Sequence, residues 1–187
     1  MKLVVGISGA SGAHLGIKFL SAIDDLVQKY CVFTNGAKCV LENENGAESL
    51  KALSNIKNLE ILDDGDLSAN ISSGSFGVDA MAVLPCSQNT LAKISVGICD
   101  TLLTRSASVM IKEQRKLLLS PREMPFSAIV LENMLKLSRL GVVIAPPILG
   151  YYAGDNLDDI ERFIIGKWCD ALGIPSDYNR WNPSIIN

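Results

Sequence analysis

Residues 2–12, KLVVGISGASG, place a short β-rich apolar run directly before a glycine-rich turn. The run at residues 2–8 predicts a buried parallel strand, because such strands are apolar on both faces. Apolar residues then recur at helical spacing from His14 to Gln28, which predicts a helix after the turn. The chain therefore begins with a strand, a tight turn and a helix, the repeating unit of a parallel α/β sheet.

The same alternation continues along the rest of the chain. Further apolar strands are predicted at residues 30–34, 59–62, 80–84, 116–120 and 142–145. Helices are predicted over residues 35–53 with a break at 43–46, and over 87–96, 104–114, 127–140 and 157–172. Pro85, Pro121 and Pro146 each follow a predicted strand and are expected to end it.

Length and composition narrow the class of protein. The 187 residues predict one domain, at roughly 150 residues per domain. Twenty acidic and seventeen basic residues give a net charge of −3, which argues against a general nucleic-acid binder. No apolar stretch approaches the roughly eighteen residues of a membrane span, so we expect a cytoplasmic protein with no membrane partner.

Cysteine and histidine usage argues against a metal centre. The five cysteines are odd in number and form no C-x-x-C pair, so neither a disulfide framework nor a zinc site is expected. His14 is the one histidine, which excludes a site with several histidine ligands. Its position in the first turn of a helix favours a structural or solvent-facing role.

The ends of the predicted strands locate the candidate site. In a parallel α/β sheet, ligands bind outside the carboxyl ends of the strands. Those ends are GASG (9–12), TNGAK (34–38), PCSQNT (85–90), SPREMP (120–125) and APPILGYY (145–152). Topology alone therefore gathers glycines, hydroxyls and the Arg122–Glu123 pair at one edge of the sheet.

The first turn favours a mononucleotide over a dinucleotide. Its spacing is G-x-x-G-x-x-G over residues 6–12, not G-x-G-x-x-G, and the second strand ends in Thr34 instead of an acid that would bind ribose. Backbone N–H groups with the hydroxyls of Ser11 and Thr34 suit a phosphate, and both departures argue against NAD. The alternative is that the glycines only allow close packing. For residues 87–90 the alternative is an ordinary helix N-cap at Ser87 or Asn89.

Basic residues cluster in this acidic chain between positions 105 and 122. Arg105 and Lys112 are seven residues apart, so they share one face of a helix. With Arg122 they are expected to converge at the carboxyl edge of the sheet and bind a phosphate. Solvated side chains are the better interpretation for Arg115 and Lys116. The aromatic residues Tyr151, Tyr152 and Trp181 are consistent with core packing, a subunit contact or the π-surface of a ligand site.

Several longer motifs together identify a family. They are VGISGASG (5–12), GSF (74–76), LPCSQNTLAKI (84–94), LLTRSASVMIKEQRKL (102–117), PREMPFS (121–127), ENMLKLSRLGVVIAPP (132–147) and YY-x4-LDD (151–159). The chain resembles the UbiX-type flavin prenyltransferases from residue 3 to about residue 181. Members of this family have also been named aromatic-acid decarboxylases, an activity that the resemblance assigns to a partner.

The resemblance implies a fold, an assembly and two ligands. The fold would be a flavodoxin-like three-layer sandwich of one domain, assembled into trimers and then a homododecamer, with sites at subunit interfaces and the tail at about 173–187 in oligomer contacts. FMN would be held by Gly9, Ala10, Ser11, Thr34, Ser87, Gln88, Asn89, Thr90 and Arg122. Dimethylallyl phosphate would be held by Lys112, Arg122, Tyr152 and Lys167. Thr34 stands where the family has serine, and Lys167 where arginine is common.

The implied reaction joins a dimethylallyl group to N5 of reduced FMN and closes a further ring at C6. The prenylated FMN would serve a UbiD-type decarboxylase, and no metal is needed. The implied catalytic residues are Ser11, Glu44, Arg105, Lys112 and Glu123. Cations would stabilise the leaving phosphate, Tyr152 and Trp181 would face the allylic cation, and Glu123, kept ionised by Arg122, would take a proton.

Two other functions fit parts of the sequence. FMN-dependent cysteine decarboxylases share the fold, but the chain has no PxMNxxMW-type segment and His14 does not match their active-site pattern. A non-catalytic flavin carrier would leave Lys112, Arg122 and Lys167 without a common purpose.

Overall fold

The predicted apolar runs form the strands of one parallel sheet. The computed structural model describes residues 1–44 and 50–181. Its strands are β1 (Lys2–Ile7), β2 (Gln28–Phe33), β3 (Leu59–Asp63), β4 (Ala80–Cys86), β5 (Lys116–Pro121) and β6 (Val143–Ile144). They lie in the order β3-β2-β1-β4-β5-β6, with every neighbouring pair parallel.

Helices cover both faces of the sheet, which makes the predicted three-layer sandwich. They are α1 (Ala13–Ala22), α2 (Asn35–Glu44), α3 (Gln88–Val96), α4 (Leu102–Lys112), α5 (Ala128–Arg139) and α6 (Leu157–Leu172), and residues 50–52 are also helical. Alternate residues of β1 point to opposite faces, so Leu3 and Val5 pack with α1, α2 and α6, whereas Val4 packs with α3, α4 and α5. The α/β flavodoxin-like prediction is confirmed.

Most predicted boundaries lie within two residues of the observed ones, and two of the differences have a structural reason. α1 ends at Ala22, not near Gln28, because Gln28 pairs with Lys2 in the sheet and the chain must turn before it. Pro85 lies inside β4 instead of ending it, at a shift in the register between β4 and β5, where a missing N–H is tolerated. The break predicted at 43–46 falls largely outside the described residues.

The buried carboxylate of Glu161 in α6 binds two side chains of α1. The Glu161 side chain is only 6% exposed and accepts hydrogen bonds from His14 Nε2 at 2.7 Å and Lys18 Nζ at 2.5 Å. Burial alone would raise the pKa of Glu161, but the bonds from Lys18 and His14 outweigh it and lower this pKa. The structural role predicted for His14 is thus observed, at the N-terminal end of α1.

Glu161→Gln is expected to lower the free energy of unfolding by about 2 kcal/mol at pH 7, the scale of hydrogen bonds to a charged group. Because the pKa of Glu161 is lower in the folded state than its ordinary value of 4.5, the ionised carboxylate stabilises the fold at pH values above 4.5. This stabilisation is lost as the pH falls through the pKa of the folded state. The difference between wild type and variant, measured by urea unfolding, should therefore shrink below about pH 4.5. Asp158→Asn is the control, because Asp158 pairs with the same Lys18 but is 83% exposed. An equal loss in both variants, or a pH-independent loss, contradicts the prediction.

Candidate functional site

A cavity of about 600 Å³ opens at the carboxyl edge of the sheet. It lies beside β1 and β4, where the strand order reverses, the usual position of a ligand in this topology. Its lining residues are Gly9, Ala10, Thr34, Gly36, Ser87, Gln88, Asn89, Thr90, Arg122 and Glu123. Every predicted FMN-binding residue except Ser11 is in this set. Gly36 was missed, although it lies in the TNGAK segment that topology had selected.

Close packing accounts for Gly9 and backbone conformation for Gly12, and Gly9 also lines the cavity. A Cβ on Gly9 would lie 2.9 Å from the backbone of Gly36, so the two turns touch backbone to backbone. Gly12 precedes α1 at a φ of +83°, a conformation that favours glycine. Close packing and ligand access were alternative interpretations of the glycines. Gly9 fits both, because it packs against Gly36 and also lines the cavity.

Two hydroxyls of the cavity cap helices. Thr34 Oγ1 accepts the Ala37 N–H at 3.1 Å at the start of α2, and Ser87 Oγ accepts the Thr90 N–H at 3.3 Å at the start of α3. The ordinary N-cap interpretation of Ser87 is therefore correct. Both helices still point their N-terminal N–H groups toward the cavity side of the sheet, where an anion is favoured.

Ser11 and Glu44, both predicted to be catalytic, meet beside the N-terminus of α1. Glu44 accepts the Gly12 N–H at 2.9 Å. Burial would raise the pKa of Glu44, but the Ser11 hydroxyl, the Gly12 N–H and electrostatic interactions with His14 and Arg122 together lower it. The carboxylate is thus held anionic next to a hydroxyl, at the helix end that favours negative charge.

Arg122 and Glu123 follow β5 at the mouth of the cavity. The Arg122 N–H donates to the carbonyl of Cys86 at 3.2 Å, which ties this segment to the end of β4. Glu123 does not pair with its neighbour Arg122. Instead, Oε2 of Glu123 accepts from Gln88 Nε2 at 2.5 Å and Oε1 accepts from the Met124 N–H at 3.1 Å.

Arg105 and Lys112 share one face of α4, as predicted, but this face points to the segment at residues 72–76. Arg105 Nε donates to the Ser72 carbonyl at 3.0 Å, and Lys112 lies against Gly74 and pairs with Glu113. α4 runs antiparallel to the strands, so Lys112 lies at the amino edge of the sheet. The expectation that Lys112 converges with Arg122 is therefore wrong within a single chain.

Of the two basic residues interpreted as solvated side chains, Lys116 is exposed as predicted and Arg115 is not. Arg115 is half-buried and its NH2 donates to the Gly74 carbonyl at 2.9 Å. Lys116 Nζ donates to the Leu172 carbonyl at the end of α6 at 3.1 Å. Both side chains donate to main-chain carbonyls at the amino edge of the sheet, and the pattern of charges along the sequence does not reveal such partners.

Tyr152 and Lys167 line a second, mainly apolar cavity of about 660 Å³ between α6 and the segment after β6. The Tyr152 ring makes edge contacts with Phe163 and with Trp181, each at a centroid distance of 5.3 Å. Tyr151, Tyr152 and Trp181 are 88%, 50% and 59% exposed, so the core interpretation is wrong, and the subunit contact and the ligand surface stay predictions. The four predicted phosphate ligands therefore occupy three separate places in one subunit.

The described part of the C-terminal tail is bound to α6. Arg180 forms a two-pronged pair with Asp170, with both N–O distances 2.8 Å, and Tyr178 OH donates to the same carboxylate at 2.5 Å. The hydrogen bonds from Arg180 and then Tyr178 lower the pKa of Asp170 to about 2. This packing leaves the predicted role of the tail in oligomer contacts as a prediction.

The cavity at the carboxyl edge fits a flavin mononucleotide. Its volume falls within the roughly 300–1,000 Å³ typical of small-molecule sites. Its donors are hydroxyls, helix N-terminal N–H groups and Arg122, which suit a phosphate and ribityl chain. Within residues 1–44 and 50–181 no three metal-ligating side chains cluster, and no helix there is long and apolar enough to cross a membrane.

Thr34→Val is expected to weaken FMN binding about tenfold or more, because it removes a hydroxyl next to the expected phosphate. Thr34→Ser is the matched control, since it keeps both the hydroxyl and the helix cap and should bind like wild type. Equilibrium dialysis measures both affinities. Equal affinities for the valine and serine variants would remove Thr34 from the site, and tight NAD binding without FMN binding would remove the mononucleotide interpretation.

Known proteins resemble this chain over nearly its whole length. The sequence profile of the Flavoprotein family matches residues 1–168. The flavin prenyltransferase UbiX of Campylobacter jejuni subsp. jejuni is 47% identical over 184 residues, which cover 97% of this chain and 98% of that protein.

Two solved structures have the same architecture. A dodecameric FMN-dependent UbiX-like decarboxylase from Escherichia coli O157:H7 has a TM-score of 0.91 and 42% identity, covering 97% of this chain and 100% of that one. A UbiX structure in complex with FMN and dimethylallyl pyrophosphate also has a TM-score of 0.91, with 38% identity and 97% of each chain covered.

Proposed function

The chain belongs to the Flavoprotein family and, within it, to the UbiX-type flavin prenyltransferases, and from that membership we propose that it transfers a dimethylallyl group to reduced FMN. The observation that carries the proposal is the cavity at the carboxyl edge. It brings together eight predicted flavin-binding residues and Glu123 from four separate strand ends. The enzyme is a transferase, and FMN is its substrate.

Flavin binding is assigned to the backbone and hydroxyls of the cavity. The turn at Gly9 and Ala10 allows the ligand to approach the main chain, and the N-termini of α2 and α3 favour its phosphate. Arg122 adds a fixed positive charge at the mouth of the same cavity. A UbiX structure solved with FMN and dimethylallyl pyrophosphate supports a flavin and a prenyl phosphate ester as the two ligands.

The prenyl phosphate site requires more than one subunit. Lys112 precedes β5 and Arg122 follows it, and a strand of six residues is about 20 Å long. One phosphate cannot touch both side chains in the same chain. A neighbouring subunit that brings its amino edge to this carboxyl edge would supply Lys112. The dodecameric assembly of the Escherichia coli relative supports a site of this kind.

The proposed reaction has two steps, which depend on positively charged side chains beside the leaving phosphate and on one proton acceptor. The carbon–oxygen bond of dimethylallyl phosphate breaks, phosphate leaves with the electron pair, and the allylic carbon bonds to N5 of reduced FMN as the N5 proton is lost. Cations stabilise the leaving phosphate as its charge develops. In the second step the alkene bonds to C6, whose proton leaves toward Glu123 while a proton is added to the prenyl chain. A UbiD-type decarboxylase is the proposed user of the product.

We expect mass spectrometry to show FMN gaining a five-carbon unit when reduced FMN and dimethylallyl phosphate are supplied without oxygen. The reason is the placement of Arg122 and Glu123 at a flavin-sized cavity. Oxidised FMN is the matched control, because it lacks the electron-rich N5 that attacks the prenyl group. An unchanged flavin mass, together with decarboxylation of a peptidyl cysteine, would favour the cysteine decarboxylase alternative. An unchanged mass with tight FMN binding and no turnover would favour a flavin carrier.

A further inference from the structure

We propose that the side-chain amide of Gln88 positions Glu123 and does not bind the flavin, whereas the family resemblance implies a flavin-binding residue. This inference rests on the proposed function, because it concerns the group assigned to proton transfer. It starts from a side-chain contact between positions that lie 35 residues apart in the chain. No motif in the sequence pairs these two residues.

Both carboxylate oxygens of Glu123 are held by donors. Gln88 Nε2 donates to Oε2 at 2.5 Å, and the Met124 N–H donates to Oε1 at 3.1 Å. A carboxylate offers about four lone-pair positions, so two remain for a substrate. The Gln88 amide therefore fixes where the carboxylate points without occupying all of its accepting capacity.

Hydrogen bonds from main-chain N–H groups also hold the two segments that carry Gln88 and Glu123. Gln88 is the first residue of α3, and the Ser87 N–H before it donates to Ser8 Oγ at 2.7 Å. Glu123 follows Arg122, whose N–H donates to the Cys86 carbonyl at 3.2 Å. The two side chains thus extend from adjacent strand ends, since Cys86 and Pro121 are register partners of β4 and β5. Gln88 and Glu123 are held in reach of each other by the sheet.

The contact also fixes the direction of the carboxylate. Hydrogen bonds that a carboxylate accepts are shorter and stronger than those between neutral groups, so the amide of Gln88 holds Glu123 in one orientation. Among the described residues, the other charged groups of this region are Arg122 in the same segment and Glu44 at the end of α2, which interact electrostatically with each other. Within the described part of the chain no ion pair joins Arg122 to Glu123, and Gln88 is the side chain that orients this carboxylate.

The test is a double-mutant cycle between Gln88→Met and Glu123→Gln. Gln88→Met keeps the length of the side chain and removes the donor. We expect turnover at saturating FMN to fall about tenfold or more, with an unchanged dissociation constant for FMN. In the Glu123→Gln background the same substitution should have no further effect, because coupled residues are not additive. Gln28→Met, at the opposite edge of the sheet, is the matched control and should behave like wild type.

Three results would overturn the proposal. Weaker FMN binding with unchanged turnover would make Gln88 a flavin ligand, and additive losses in the double variant would show that it acts independently of Glu123. The third result comes from infrared spectroscopy, which does not require the enzyme to turn over. The infrared band that Glu123→Gln removes should shift in Gln88→Met, because the band responds to hydrogen bonding of the carboxylate. An unshifted band would refute the contact, whereas a shifted band in a protein that never prenylates FMN would refute only the proposed function.

Discussion

Glu123→Gln is expected to lower the rate of ring closure at C6 by about 10²- to 10⁴-fold, the usual contribution of a general acid–base group. Glutamine preserves the shape of the side chain but cannot accept the C6 proton. FMN binding should be unchanged, because the hydroxyls and Arg122 remain in place. The first bond, at N5, should be slowed less, so that an N5-alkylated flavin accumulates in single-turnover absorbance measurements.

Glu132→Gln is a suitable control, since it removes the same charge from an exposed position on α5. It should leave both steps unchanged. The competing explanation is that Glu123 only orders the residues at the cavity mouth. Equal slowing of both steps, accompanied by weaker binding of dimethylallyl phosphate, would establish that explanation and remove Glu123 as the proton acceptor.

Mixed oligomers of Lys112→Met and Glu123→Gln are expected to recover activity that each variant lacks alone. If one subunit supplies Lys112 and its neighbour supplies Glu123, random mixing in a closed symmetric oligomer leaves about a quarter of the sites intact. The physical reason is the separation of the two residues at opposite edges of the sheet. The variants would be dissociated, mixed in equal amounts and reassembled, and prenylated FMN would then be measured by mass spectrometry.

A chain that carries both substitutions provides the control for this experiment. Mixed with either single variant, it leaves every site without one of the two residues, so no activity should return. Light scattering and native mass spectrometry would verify that mixed oligomers have formed. Absence of recovery in verified mixed oligomers would show that the site is not shared in this way, and full activity in a 20 kDa monomer would exclude an interfacial site.

The flavin cavity illustrates what could be read from the sequence. The strand ends at Gly9, Thr34, Ser87 and Arg122 were identified by apolar runs followed by turn residues, and the structure brings all four to one cavity. This works because the strands are parallel, so their carboxyl ends lie at the same edge whatever the order of the strands. The cap at Ser87 was also predicted, since a cap depends on residues three positions away; the cap at Thr34 follows the same rule but was not predicted.

The partners of charged side chains depended on the tertiary structure. Lys112 shares a helix face with Arg105, as spacing predicts, but the direction in which α4 crosses the sheet places it at the edge opposite to Arg122. Glu123 is paired with Gln88 and not with adjacent Arg122, and Glu161 meets His14 across 147 residues. Periodicity and capping are interactions among near neighbours, so the sequence alone determines them. Contacts between distant residues exist only after register and crossover direction have positioned both, and that is why only the folded chain decided them.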